Sequence, residues 1–271
     1  MFEELFDSLH LPLPDKDKYL ERIGIASVER TDRQNLDALI LAHQCNVPFE
    51  NLDIFDAEAD INLDISSLFD KVVTRRRGGY CFELNAAFMS LLQALGYECY
   101  PLAVRVVWHA TRHMPVTHRA TVVIIDGVKY FCDVGFGGPS PQGSIRMERD
   151  IEQQSGADVF KLIARDGNTV TGRMADGEFE QLLMFRDDPA DAVDFLAPNE
   201  YQSKSRHSFF KMDRMLNLVT QNGCKVVAGN TLKIHENGRA TESILDSEAA
   251  LRSALSEHFG IEVDFTLKPQ A

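Results

Sequence analysis

The residues best suited to chemistry cluster in the stretch 77–85, RGGYCFELN. Gly78 and Gly79 allow the backbone to turn sharply into a helix, and Cys81 then falls in its first turn. Free N–H groups and the helix dipole favour negative charge there, so a thiol at that place can become a thiolate nucleophile. Such a cysteine needs a base, and the base needs a group to orient it. His118 and Asp133 meet both needs within one expected hairpin. Strands over 120–125 and 128–134 flank Asp126-Gly127, a dipeptide suited to a two-residue turn. With that loop, Ile125 pairs with Val128 and Asp133 faces Ala120 across the ladder. His118 lies two residues before Ala120, on the same face, as a diagonal neighbour of Asp133 at about 7–8 Å between backbones, within reach of a hydrogen bond. A three-residue loop would shift the register and send the two side chains to opposite faces. Each residue also has a plainer reading: Cys81 as a small buried apolar group, His118 as a surface residue at a strand end, Asp133 as a turn residue before GFGG.

These groups must be held by regular elements. A helix is expected over 81–95, where Leu84, Phe88, Leu91, Leu92 and Leu95 recur at helical spacing and Gly96 supplies a stop. Another is expected over 32–45, with Leu36, Leu39, Ile40 and Ala42 near one face and Thr31 or Asp32 as cap. Loops carrying Pro12, Pro14 and Pro48 separate the helices of this first third. From residue 98 to 185 the pattern changes to short strands, over 100–108, 120–125, 128–134, 160–164, 170–173 and 179–185. Three Asp-Gly pairs punctuate them, which suggests a small barrel or sandwich. The last third is mixed, with strands near 215–220, 225–227 and 231–234 and a helix over 247–259. There is no internal repeat and no low-complexity tract.

The 271 residues are 44% hydrophobic and 25% charged, the composition of a soluble globular protein with a sizeable core. With 41 acidic against 28 basic residues the formal charge is −13, which disfavours nucleic acid and anionic lipid as partners and requires a local basic pocket for any anionic ligand. Glu3, Glu4 and Asp7 stand where a secretory signal would be basic, and no run of about 18 apolar residues occurs. Neither export nor a membrane span is expected. Five scattered cysteines, an odd number, fit free thiols in a reducing cytoplasm. His109 and His113 are four apart, but the proline-containing stretch around them reads as a loop and no CxxC accompanies them, so no metal site is expected.

RGGYCFELN, VPFENLD at 47–53, the histidine of THRA and DVGFGG at 133–138 together resemble the arylamine N-acetyltransferases, whose cysteine, histidine and aspartate occur in this order. The resemblance runs from about residue 31 to 140 and, more weakly, through SRHSFF in the last third. It implies an α+β fold in three parts: a helical bundle over 1–95 carrying the cysteine, an antiparallel β-barrel over 96–190 carrying the histidine and aspartate, and an α/β lid over 191–271. At its centre would lie a papain-like Cys-His-Asp core. It implies acetyl-coenzyme A as donor, with Cys81 acetylated, His118 as its base and Asp133 as the orienting group. Arylamines, arylhydrazines or arylhydroxylamines would then take the acetyl group in a ping-pong reaction. Phe49, Val106, Trp108 and Phe136 resemble residues lining the acceptor pocket, and Glu50 resembles a partner of Arg77 that fixes the cysteine loop. Gly135, Gly137 and Gly138 are candidates for close backbone approach to coenzyme A, with the run Arg75, Arg76, Arg77 as a possible counter-charge. The same triad would also serve a thioester hydrolase or an amide synthase, and a binding module would tolerate loss of Cys81.

Overall fold

Local signals account for most elements. Asp15 and Asp32 cap their helices by accepting backbone N–H groups, at 3.1 Å from Asp17 and 2.9 Å from Asn35. Gly24 and Gly96 then stop helices in the left-handed region, at φ 78° and 93°. The computed structural model describes residues 2–269; Met1, Gln270 and Ala271, at the outer ends of the first and third expected parts, lie outside the described residues. In chain order the helices are α1 (Phe2–Leu9), α2 (Lys16–Ile23), α3 (Arg33–Asn46), α4 (Leu52–Phe55), α5 (Ile65–Phe69, continued by a π turn), α6 (Cys81–Ala94), α7 (Leu196–Lys204) and α8 (Glu248–Ala254, also continued by a π turn). The strands are β1 (Phe49–Glu50), β2 (Glu98–Val106), β3 (His118–Ile125), β4 (Val128–Cys132), β5 (Ile145–Arg146), β6 (Gln153–Ser155), β7 (Asp158–Arg165), β8 (Asn168–Ala175), β9 (Glu178–Pro189), β10 (Met215–Thr220), β11 (Gly223–Ala228), β12 (Thr231–Glu236) and β13 (Arg239–Ile244).

Eight strands form one antiparallel sheet in the order β5-β4-β3-β2-β9-β8-β7-β6, a nearly closed barrel. The Asp-Gly pairs at 126, 166 and 176 have positive φ at both residues, the geometry whose twist matches that of paired strands, and they close the hairpins β3–β4, β7–β8 and β8–β9. Leu102, Val104, Ala120, Val122, Phe131, Phe160, Leu162 and Phe185 belong to the cluster that fills this barrel.

The helices enclose a separate core around Leu36, Ile40, Phe82, Phe88 and Leu91. A second sheet, β1-β10-β11-β12-β13, packs with α8 over a third core. The chain's first and last thirds interlock. β1, from the 47–53 motif, is the edge of the second sheet, while Phe195 and Phe210 join the helical core. The α+β class expected from the resemblance is the class observed.

Candidate active site

The hairpin register is that of a two-residue turn: Ile125 pairs with Val128 and the ladder runs to Thr121 opposite Cys132. β3 begins at His118 and β4 ends one residue before Asp133, so both side chains sit where the barrel meets α6. His118 Nε2 lies 2.6 Å from Asp133 Oδ2, with both side chains almost fully buried. Cys81, in the first turn of α6, is the other side chain that acts on the ring. Burial alone would lower the imidazole, but the charge of Asp133, its hydrogen bond and the Cys81 side chain push it up to about 10. The thiol is 3% exposed, with the carbonyl oxygen of Thr117 3.7 Å away. The three residues singled out from sequence are therefore brought together.

Asn85, which sequence reasoning passed over, joins the helix to the hairpin. It follows Cys81 by one turn and so shares its face of α6. Its Nδ2 donates to Asp133 Oδ1 at 2.9 Å and to the Arg119 carbonyl at 2.6 Å, and its Oδ1 accepts the Val134 N–H at 3.0 Å. Gly135 adds an N–H to Asp133 Oδ1 at 2.9 Å, and Gln44 holds the Asp133 carbonyl at 3.0 Å. A Cβ at Gly135 would stand 3.0 Å from the Cys81 Cα, so the missing side chain is what lets the aspartate segment close on the cysteine helix.

On the other side of the cysteine loop lies a buried chain of charges. Glu50 Oε1 accepts from Arg77 Nε at 3.0 Å and Nη2 at 2.7 Å; Arg77 also reaches Asp53, Lys71 bridges Asp53 and Glu83, and Glu83 accepts the Tyr80 N–H at 3.1 Å. Burial works against ionisation of Asp53, yet Lys71 and Arg77 hold its carboxyl down at about 2. Arg77 is thus engaged within the protein, and Arg75 pairs with Asp70 at the surface. The two glycines before Cys81 act through space and not through unusual φ, since neither is left-handed. A Cβ at Gly78 would stand 1.9 Å from the Pro48 carbonyl oxygen.

The candidate pocket residues come from two cores. Phe136 lies edge-on to His118 at 5.8 Å between centroids and 6.0 Å from Trp108, and Val106, Trp108 and Phe136 all pack on the barrel cluster. Trp108 Nε1 donates to Glu180 at 2.8 Å. Phe49 belongs to the helical core and touches Phe210 at 6.1 Å, which in turn packs on Tyr80 at 5.3 Å. Phe210, within SRHSFF, was not singled out from sequence. A narrow cleft is lined by Phe49, Phe136, Gly137, Gly138, Ser140 and Asn217. The space a Cβ would fill is taken by the Phe49 ring at Gly137 and by Trp108 and Phe136 at Gly138. At the same cleft Asn217 Oδ1 is a buried acceptor without a donor. His109 and His113 line a different, open cavity of about 660 Å³ under the 107–114 loop. No helix among the described residues is long and apolar enough to cross a membrane.

A match to the N-acetyltransferase family spans residues 32–268. The arylamine N-acetyltransferase of Mycolicibacterium smegmatis is 34% identical over 251 residues, covering 90% of this chain and 91% of that protein. A Salmonella typhimurium protein named arylamine N-acetyltransferase / N-hydroxyarylamine O-acetyltransferase is 28% identical over 249 residues, covering 91% of this chain and 86% of its own. The structure of the Mycobacterium marinum arylamine N-acetyltransferase in complex with coenzyme A superposes with a TM-score of 0.86 at 32% identity, covering 91% of this chain and 93% of that one. A match over most of the chain, in sequence and in fold, leaves one conclusion: the chain belongs to the arylamine N-acetyltransferases, a family of acyltransferases.

Proposed function

We propose that Cys81 takes the acetyl group from acetyl-coenzyme A and passes it to an arylamine, arylhydrazine or arylhydroxylamine in two separate stages. The observation that carries this reading is the position of His118, held at 2.6 Å by Asp133 with the Cys81 side chain near enough to help raise its imidazole. In the first stage the Cys81 sulfur bonds to the thioester carbonyl carbon, the bond to the coenzyme A sulfur breaks, and the imidazolium of His118 protonates the departing thiolate. In the second the acceptor nitrogen or hydroxyl oxygen attacks the acetyl-cysteine, His118 takes its proton, and the Cys81 thiolate leaves. N–H groups in the first turn of α6 are the donors available to the oxyanion, each worth about 3 kcal/mol in comparable sites. Asp133 keeps the ring oriented throughout and balances its charge.

Acetyl-coenzyme A supplies the activated acyl group. The narrow cleft at Gly137, Gly138 and Asn217 is where its pantetheine arm would enter, once the surrounding rings move aside, because the unpartnered Asn217 Oδ1 calls for a donor such as an amide N–H. Gly135 is instead engaged by the cysteine helix. Phe49, Val106, Trp108 and Phe136 would receive the acceptor's ring. A weakly basic arylamine, uncharged at neutral pH, enters such a pocket without the desolvation cost of an ammonium, so alkylamines should be poor acceptors. In this reading the parts 1–95, 96–190 and 191–271 supply the nucleophile, the base with its orienting group, and the cover.

The test is the mass of the intact protein after brief mixing with acetyl-coenzyme A and no acceptor. One acetyl group should be added, lost in Cys81→Ala and retained when Cys45, Cys99, Cys132 or Cys224 is replaced by alanine. Labelling at another cysteine overturns the assignment. Coenzyme A release at full speed in water, without stimulation by an arylamine, makes the protein a hydrolase instead.

A further inference from the structure

The described residues include four buried arginines: Arg22, Arg77, Arg119 and Arg214. Arg77 meets two carboxylates, Arg214 grips Asp56 with two nitrogens, and Arg22 donates to the carbonyls of Val72, Asn46 and Arg76. Arg119 has nothing comparable. It is 3% exposed, and among the described residues its Nε has no hydrogen-bond partner and its guanidinium makes one weak contact, from Nη2 to the Met89 sulfur at 3.8 Å. The face of Phe195, 4.7 Å from the guanidinium carbon, supports the charge but accepts no conventional hydrogen bond. Burial lowers this guanidinium to about 10, so it stays charged at neutral pH. A buried, charged donor left unpaired costs far more than one whose donors are met.

Arg119 also lines a cavity of about 230 Å³ between α1, α5, α6 and the segment after β9. Leu9, Ile65 and Ala192 give it apolar walls, and Ser90 and Gln93 add a hydroxyl and an amide. Its one acid, Asp191, pairs with His10 at 3.2 Å and accepts the Val193 N–H, with more than half of its side chain in solvent. The cavity shares no lining residue with the cleft at Gly137 and Gly138.

We propose that this cavity is a second binding site, for a small organic carboxylate whose anionic head pairs with the Arg119 guanidinium and whose apolar tail lies against Leu9, Ile65 and Ala192. A guanidinium presents parallel N–H groups matched to a carboxylate, and the volume and lining suit a tail about the size of a benzene ring. The site lies behind the reactive histidine. Arg119 follows His118 in β3, and its carbonyl is one of the groups held by Asn85.

The experiment is a ¹⁹F NMR titration of the full chain with 4-fluorobenzoate at pH 7. Saturable binding is expected, weakened at least tenfold in Arg119→Met, at least tenfold weaker for uncharged 4-fluorobenzyl alcohol, and undisturbed by aniline. Equal binding to Arg119→Met, displacement by aniline, or no saturation overturns the site. Displacement by equimolar chloride overturns the organic tail and leaves an inorganic anion site. If Arg119→Met does not fold, Ala192→Leu fills the cavity and decides the matter: undiminished binding to it rejects the proposal.

Discussion

Two buried polar clusters flank the first turn of α6, and they are built on opposite plans. On one side Glu50, Arg77, Asp53, Lys71 and Glu83 form a chain in which each cation touches two carboxylates. Asp53 is held down at about 2 and Lys71 and Arg77 are pushed up, so these three groups keep their charges through the ordinary pH range. On the other side a single imidazole lies between Asp133 and Cys81. Its unperturbed value is close to neutrality, and its Nε2 faces Asp133. Burial and charge are common to both clusters. What suits the second to the proton transfer proposed above is a group that can change its charge near neutrality; what suits the first to a scaffold is that each of its cations is already held by two carboxylates.

The largest difference should appear in rate. Asp133→Asn keeps the shape but removes the charge behind His118 and offers an amide in place of an acceptor-only group. Acetylation of an arylamine should fall by about 10³–10⁴ in kcat, as loss of the orienting carboxylate does in comparable triads. Steady-state kinetics on variant protein of unchanged circular dichroism checks this, and a loss below tenfold removes Asp133 from the mechanism. In the other cluster, Arg77→Met leaves Glu50 buried and unpaired while keeping most of the volume. It should lower stability by about 3–5 kcal/mol, read as a shift of the urea midpoint, with activity per folded molecule changing much less than in Asp133→Asn. A variant as stable as the parent would show that the charge chain does not hold the cysteine loop.

The same contrast explains what could be read in advance. The Cys81, His118 and Asp133 grouping was legible because it depends on one helix start and one Asp-Gly turn, both local signals that fix register. Asn85 stood in the same motif, yet an asparagine on a helix looks like any exposed amide; its one signal was the four-residue step from Cys81. Phe210 reaches Tyr80 and Phe49 only through tertiary packing, which no local pattern encodes. β1 is two residues long and forms because β10 offers an edge, and β13 is exposed along its whole length, so no alternation marks it. Its turn, Asn237-Gly238, carried the usual hairpin dipeptide and was the available clue. In the run Arg75, Arg76, Arg77 the sequence treats alike a surface side chain and a buried one, and only the fold tells them apart.

The smallest expected effect is also the most direct probe of the imidazole cluster: a dependence of stability on pH carried by His118 alone. A proton passed from Cys81 to His118 leaves the number bound to the protein unchanged, so the linkage is cleanest in Cys81→Ala, where Asp133 still raises the ring. Unfolded, the imidazole titrates near 6.5; in the folded parent it is pushed up to about 10, and in Cys81→Ala burial still lowers it while the charge and hydrogen bond of Asp133 raise it, so Asp133 is expected to outweigh burial and keep it above 6.5. Its contribution to stability is therefore complete below about pH 6.5. It shrinks as pH rises through that window, where the folded protein keeps a proton the unfolded chain has released, and it is gone above the folded value. The slope cannot exceed about 1.4 kcal/mol per pH unit for one group. Urea midpoints of Cys81→Ala and of Cys81→Ala with His118→Gln, measured from pH 6 to 9.5, should converge as pH rises, because only the first protein holds that proton. Curves that stay parallel across the window would mean that His118 is not held as an imidazolium by Asp133, and the contrast between the two clusters would fail at its central residue.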